Sequence, residues 1–176
     1  WGVVLGTVVL TAELSAQRGY PTEIANVAYA GRFVYARIKF DPPDLSGGFG
    51  RRFDPLWNHD YPRSDRTFPQ ILAELTTMKT RTDASNVFTF DDPRLHKFPV
   101  AYLCEVGGWV PNEAEALGMR SYLLKGGFVI VDDFRGANAL ANFDAQLQKV
   151  LPGARRLPLE TAHPLFNAFY RIDELP

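Results

Sequence analysis

The chain has 176 residues, of which 46% are hydrophobic, and its formal net charge is -1. This length and apolar content are sufficient for one domain with its own core. The charge balance argues against nucleic acid as a partner, because phosphate binding requires an excess or a patch of basic residues. The single cysteine, Cys104, excludes an internal disulfide and a cysteine-based zinc or iron-sulfur site within this chain.

The first 19 residues contain an apolar run, from Gly2 to Ala12, followed by small and polar residues. The run is too short to span the roughly 30 Å hydrocarbon core of a bilayer. Its layout is typical of the hydrophobic region and cleavage zone of an export signal, with a core helix as the alternative. We therefore expect residues 1–19 to be the remnant of an export signal or a membrane anchor. A periplasmic or other extracytoplasmic location follows, with the N-terminus as the membrane tether if the segment is retained.

Residues 32–176 read as a single domain in which strands and helices alternate. Runs of β-branched and aromatic residues predict strands, and apolar residues at helical spacing predict helices. Strands are expected at residues 33–40, 87–90, 98–104, 128–133 and, weakly, at an edge at 156–159; helices are expected at 67–80, 112–125 and 137–151. This alternation predicts a three-layer α/β fold with a mostly parallel sheet and helices on both faces.

The segment from Phe128 to Val131 is continuously apolar and follows the helix stop Gly126-Gly127. This pattern predicts a strand that is buried on both faces. The strand leads into Asp132 and Asp133. Because ligands gather at the carboxyl ends of parallel strands, both carboxylates fall where a site is expected. Adjacent strand residues face opposite sides, so we expect one carboxylate to bind and the other to cap the following turn, unless both only cap.

A long segment without clear periodicity, residues 44–66, interrupts the domain after the first strand. An insertion of this length in a compact domain is more often functional than a short turn. Its candidate binding residues are Trp57, Asp60 and Tyr61. If all strands of the sheet are parallel, their carboxyl ends lie along one edge of the sheet, close to this insertion. The residues expected at that edge are Lys39, Asp41, Glu105, Asp132 and Asp133.

Histidine occurs only at positions 59, 96 and 163. Together with the carboxylates of the predicted edge, His59, His96 and His163 offer the donor types of a mixed metal site, but no spaced motif such as His-Glu-x-x-His is present. We therefore predict neither a metal site nor a cofactor. The sequence also lacks a phosphate-binding loop and a Gly-x-Ser-x-Gly nucleophile elbow, and Cys104 lies in an apolar run where free cysteine packs as a small hydrophobe.

With these segments assembled, the chain resembles the uncharacterised bacterial domain-of-unknown-function family 4159. The resemblance rests on residues 33–37, 57–62, 75–76, 98–102, 120–128, 132–134 and 163–166. It implies a flavodoxin-like fold related to the class I glutamine amidotransferase-like and trehalose-utilisation-like folds, and a frequent association with export signals or membrane segments. It implies no reaction, and the missing glycine-flanked nucleophile separates the chain from amidotransferases.

Two hypotheses of function follow, and an inert fold whose aromatic loop is only part of the core is the third reading. The first is a non-catalytic binding module of the bacterial cell envelope, whose partner is a protein or a small polar ligand such as a sugar. Its contact surface is formed by Trp57, Tyr61 and Trp109, with polar anchors at Arg37, Asp60, Glu105, Asp132 and Asp133. The second is a hydrolase in which Asp132 or Asp133 is the general base and His163 or Asp60 its partner.

Overall fold

The computed structural model describes residues 25–41 and 55–174. The predicted export segment and the first part of the insertion lie outside these ranges. Within them, no helix is long and apolar enough to cross a membrane.

The described residues form a four-stranded sheet with three α-helices packed against it. All strand pairs are parallel, and the strand order is β2-β1-β3-β4. In chain order the elements are β1 (Phe33–Ile38), α1 (Arg63–Leu75), β2 (Thr80–Phe88), β3 (Val100–Cys104), α2 (Glu113–Leu124), β4 (Phe128–Asp132) and α3 (Gly136–Val150). Short 3-10 helices occur at Leu56–Asn58, Pro93–Lys97, Val106–Gly108 and Pro164–Asn167. The predicted α/β class with a parallel sheet is confirmed.

The helices lie on both faces of the sheet. The connections β1 to β2 and β3 to β4 run in opposite directions across the sheet, so right-handed crossovers place α1 and α2 on opposite faces. On one face, Phe68 of α1 packs edge-on against Tyr35 of β1, with ring centroids 5.9 Å apart. On the other, Tyr122 of α2 donates a hydrogen bond to the Phe98 carbonyl (2.8 Å), and α3 adds Phe143 against Trp109.

The main core lies between the sheet and the α2–α3 layer. Strand residues that alternate with Tyr35 and Arg37 point into it, as the two-residue period of a strand requires. Its strand members include Val34, Ala36, Ile38, Ala101 and Leu103, and its helix members include Ala116, Met119, Tyr122, Phe143 and Val150. The α1 face is covered less completely, because α1 is the one helix that packs there among the described residues.

Two element boundaries differ from the predictions. The first helix spans residues 63–75 instead of 67–80, so Pro69 lies in its interior and Met78 follows it with 47% of its surface exposed. The next strand starts at Thr80 instead of Val87. Since β2 is an edge strand, its first half carries exposed polar residues such as Asp83, and an apolar pattern does not reveal it.

Two further predictions are wrong. Strand β4 is not buried on both faces: it is the other edge of the sheet, Phe128 is 62% exposed, and the residues that follow it are only partly buried. Residues 156–159 do not form a strand. There, Arg156 is bound to Asp144 of α3 at 2.6 Å and Pro158 has no N–H for a ladder.

The start and end of α2 agree with the sequence analysis. Asn112 accepts a hydrogen bond from the Glu115 backbone N–H, and the Glu115 carboxylate accepts one from the Asn112 N–H, each at 2.9 Å. This is a complete capping box. At the other end Gly126 has a φ of 92°, the left-handed conformation that terminates a helix with least strain in glycine. The sharp stop places β4 directly after α2.

Candidate functional site

Arg37 holds the parts of the site together from inside the protein. It lies in β1, points to the α1 face and is completely buried. Its Nε and Nη2 atoms donate to Oδ1 of Asp65 in α1, at 3.0 and 2.5 Å. Its Nη2 also donates to Ser64 Oγ (2.6 Å), which fixes the first turn of α1. The buried cation is thus neutralised by a buried carboxylate, as burial of a charge requires.

The same guanidinium also fixes the loop that precedes α1. Nη1 of Arg37 donates to the backbone carbonyl oxygens of Trp57 (3.0 Å) and His59 (3.2 Å). The Trp57 side chain is buried, with only 8% of the residue exposed. These contacts bring the loop to the carboxyl ends of β3 and β4. The position of His59 therefore depends on Arg37, which we classify as a positioning residue.

At this edge the His59 side chain meets two carboxylates. Its Nδ1 lies 2.9 Å from Asp133 Oδ2 and 3.4 Å from Glu105 Oε1. Glu105 follows β3 and Asp133 follows β4, so three different connections of the sheet supply the three groups. The His59 side chain is 43% exposed, whereas that of Glu105 is 10% exposed. We name His59, Glu105 and Asp133 the edge cluster.

The backbone around the edge cluster is strained at three positions. Asp60, Glu105 and Asp133 have φ values of 58°, 53° and 59°, and they are the non-glycine residues with positive φ in the described ranges. This left-handed conformation is unfavourable for residues with a Cβ atom. Such residues concentrate at functional sites, where the surrounding structure holds them in place. All three belong to the edge cluster or adjoin it in sequence, which marks this edge as the candidate site.

The hydrogen bond to Asp133 raises the pKa of His59 above its ordinary value, against a smaller opposing effect of desolvation. The negative charges of Asp60, Asp133 and Glu105 act in the same direction as the hydrogen bond. On the far side of the cluster, Arg135 forms a short ion pair with Glu105 Oε1, and its own side chain is 68% exposed. The cluster thus alternates basic and acidic groups.

The donor atoms of the edge cluster lie within 4.8 Å of one another, which is close enough for one cation. Each carboxylate, however, already has a basic partner: Asp133 binds His59, and Glu105 binds Arg135. A cation would have to replace these contacts and would approach the guanidinium of Arg135. The described contacts therefore account for the cluster without a metal ion, and we assign it none.

Asp132 and Asp133 separate at the end of β4. Asp132 Oδ1 accepts a hydrogen bond from the Asp133 backbone N–H (2.8 Å), and its Oδ2 accepts one from the Tyr102 hydroxyl (3.2 Å). Asp133 leaves the strand and reaches His59. Asp132 thus accepts hydrogen bonds at the strand end, whereas Asp133 joins the edge cluster.

The remaining residues of the predicted site are distributed as follows. Trp109 is completely buried against Phe90 and Phe143, so it offers no contact surface. Tyr61 is half-buried beside Trp57, with ring centroids 6.1 Å apart. His163 accepts a hydrogen bond from the Leu165 N–H at the start of a 3-10 helix, and its described hydrogen bonds do not include Asp132 or Asp133.

From the sequence, His163 was predicted as the histidine partner of the carboxylates, His59 was considered only as a metal donor, and Arg135 was not predicted. A usable signal for His59 is its position directly before Asp60 in the insertion. In a parallel sheet the loop after β1 reaches the same edge as the ends of β3 and β4. For Arg135 the only signal is its distance of two residues from Asp133.

A family model described as Domain of unknown function (DUF4159) matches residues 35–176. The chain belongs to the DUF4159 family. The match includes Arg37 and the whole edge cluster, so the site lies within the DUF4159 domain. No curated protein matches the chain. Because the description of the family names no reaction, the function of this DUF4159 domain has to be argued from its site.

Proposed function

We propose that this DUF4159 domain is a hydrolase in which His59 is the general base and Asp133 orients it. The observation that carries the proposal is the 2.9 Å contact between His59 Nδ1 and Asp133 Oδ2 at the carboxyl edge of the sheet. A histidine bound in this way by a carboxylate keeps its second ring nitrogen, Nε2, as the proton acceptor. The exposure of the ring gives water and substrate access to it.

The proposed reaction begins when Nε2 of His59 takes a proton from a water molecule. The water oxygen bonds to an electrophilic carbon of the substrate, and the bond from that carbon to the leaving group breaks. His59 then returns its proton to the leaving group, so that the residue is neutral again. Asp133 stabilises the imidazolium between the two transfers. Glu105 adds negative charge beside the ring and holds Arg135, which can face an anionic intermediate.

The test is a hydrolysis assay on chromogenic esters and glycosides of p-nitrophenol. Removal of the base in His59→Ala is expected to lower kcat/KM by about 100-fold or more, since general base catalysis contributes at least that factor. Asp133→Asn is expected to give a smaller loss because the imidazole remains. The matched control is His96→Ala, which removes an exposed histidine outside the cluster. Circular dichroism checks that each variant is folded.

Two results would contradict the proposal. One is full activity of His59→Ala in a folded protein. The other is an activity that His163→Ala abolishes and His59→Ala does not, which would restore the histidine favoured by the sequence. A folded wild-type domain without activity on any substrate of the panel favours the second candidate function.

That second candidate is a non-catalytic binding module for a small polar ligand. It is supported by a cavity beside the edge cluster that is lined by aromatic residues. The buried positions of Trp57 and Trp109 do not favour a protein partner that contacts these two side chains. For either function we propose a location in the bacterial cell envelope, on the basis of residues 1–19 of the sequence. Fractionation of cells that produce the native precursor tests this location.

A further inference from the structure

A cavity of about 260 Å³ opens on the α1 face of the sheet, next to the edge cluster. It exists because α1 covers β1 and β2, while the outer part of this face, over β3 and β4, has no helix above it among the described residues. Its lining residues are Tyr35, Ser64, Phe68, Tyr102, Ile130 and Asp132. Two of these residues connect to the edge cluster: Asp132 is the chain neighbour of Asp133, and the Arg37 guanidinium donates both to Ser64 Oγ and to the His59 carbonyl.

The walls of the cavity are aromatic. The rings of Tyr35 and Tyr102 lie 5.5 Å apart between centroids, and Phe68 packs against Tyr35 at 5.9 Å. Tyr35 is buried, whereas Phe68 and Tyr102 keep part of their surface exposed. Aromatic rings of this kind bind the flat apolar face of a ring-shaped ligand. The volume is below the usual range for drug-sized ligands, so it suits a single ring.

Polar groups line the cavity from both the sheet and α1. Asp132 uses each carboxylate oxygen for one contact, to Tyr102 and to the Asp133 backbone, and each oxygen has a second lone pair for a ligand hydroxyl. The Ser64 hydroxyl lies on the opposite wall, on α1. A purely apolar ligand would displace water from the remaining lone pairs of the Asp132 carboxylate without replacing its hydrogen bonds, which is unfavourable.

The charges near the cavity disfavour two other ligand classes. The carboxylate of Asp132 repels anions. The guanidinium of Arg37 already lies over the Tyr35 and Tyr102 rings, 5.6 and 5.1 Å from their centroids. These rings thus already have a cation partner, so a cationic ligand gains less from stacking on them. The ligand that satisfies both conditions is neutral and carries hydroxyl groups.

We propose that this cavity binds one neutral sugar ring and is the substrate subsite of the edge cluster. The proposal rests on the hydrolase function for its second half. The sugar stacks on Tyr102 and donates hydroxyl hydrogen bonds to Asp132. In this proposal the glycosidic or ester bond to be cleaved lies on the side of the sugar that faces Asp133 and His59.

The test measures binding of methyl β-glucoside and N-acetylglucosamine by saturation-transfer NMR, with glucose 6-phosphate and choline as charged probes. Both neutral sugars are expected to bind. Glucose 6-phosphate is expected to bind at least about tenfold more weakly than methyl β-glucoside because of its charge next to Asp132. Tyr102→Ala and Asp132→Asn are each expected to weaken sugar binding by about tenfold, a loss of about 1.4 kcal/mol. The matched control is Tyr170→Ala, which removes an exposed tyrosine far along the chain and leaves binding unchanged.

The proposal is overturned if neither neutral sugar binds, if choline binds in their place, or if both variants bind sugar as the wild type does. Asp132→Asn keeps the size of the side chain, so it tests the site even if Tyr102→Ala does not fold. His59→Ala separates the two proposals, since it is expected to bind sugar normally. Sugar binding without any hydrolysis overturns the hydrolase alone, and His59-dependent hydrolysis without sugar binding overturns the sugar subsite alone.

Discussion

Arg37 and Asp65 form an ion pair whose side chains are both fully excluded from solvent, with Arg37 Nη2 2.5 Å from Asp65 Oδ1. The pair connects β1 with α1, and Arg37 extends the connection to the loop carbonyls of Trp57 and His59. Burial of the pair is tolerated because the guanidinium finds partners for its N–H groups. Folding of the protein and placement of His59 thus depend on the same two residues.

Asp65→Ala is expected to lower the free energy of unfolding by about 3–5 kcal/mol, because it leaves Arg37 buried without a counter-charge. Unfolding in urea, followed by tryptophan fluorescence, measures the change. The control is Asp83→Ala, which removes the partner of Arg81 in an exposed pair and should have no measurable effect. Equal destabilisation by both variants would show that burial does not determine the strength of the Arg37 contact.

The pH dependence of His59 follows from its raised pKa. Because the hydrogen bond to Asp133 favours the protonated ring, His59 stabilises the folded state fully at pH values below its unfolded pKa of about 6.5. This contribution is lost as the pH rises through the folded-state pKa. NMR titration of the ring protons measures that pKa directly. The value for His59 should lie above 6.5 in the wild type and fall in Asp133→Asn.

The control for this titration is Asp173→Asn, which changes an exposed carboxylate whose described partner is Arg171 and should leave the pKa of His59 unchanged. A His59 titration that is identical in wild type and Asp133→Asn would mean that the contact does not persist in solution.

Cys104 is expected to be unreactive in the folded protein. Burial raises the pKa of its thiol to about 11, an effect that the nearby Arg37 cation only partly offsets. The thiolate is the reactive form, and very little of it is present at pH 8. Iodoacetamide should modify the native protein far more slowly than the same protein in urea, as followed by mass spectrometry. Equal rates in both conditions would contradict the buried position.

Asn112→Ala is expected to destabilise the domain by about 1 kcal/mol, because it removes the side-chain acceptor of the α2 capping box. Thermal unfolding measures the shift. Asn138→Ala, on the exposed surface of the first turn of α3, is the control and should be close to neutral, because the described hydrogen bonds include none from the Asn138 side chain. A similar loss of stability in both variants would contradict a specific contribution of the Asn112 cap.

The sequence was sufficient for the elements whose patterns are local. The start of α2 at Asn112, the Gly126 stop and the amphipathic spacing of α3 depend on neighbours within one or two turns, and all three were predicted. The order of strands depends on contacts between distant segments, so the sequence did not show that β4 is an edge strand. The first half of β2 was not predicted because β2 is also an edge strand, and an edge strand does not need apolar residues on both faces.

The place of the candidate site and its two carboxylates could be predicted, but its histidine could not. A parallel sheet requires that Glu105 and Asp133 lie along one edge, and they do. Which histidine joins them depends on the path of the loop before α1. That path is determined by Arg37, whose contacts with the Trp57 and His59 carbonyls involve backbone atoms and therefore leave no residue pattern in the sequence.

The left-handed residues Asp60, Glu105 and Asp133 imply a trade between stability and function. Glycine at any of these positions would relieve about 1–2 kcal/mol of backbone strain. The chain carries carboxylates there instead, so its edge is less stable than its own backbone path allows. Glycine substitutions for heat resistance at these positions would therefore remove Glu105 and Asp133, two of the three members of the edge cluster.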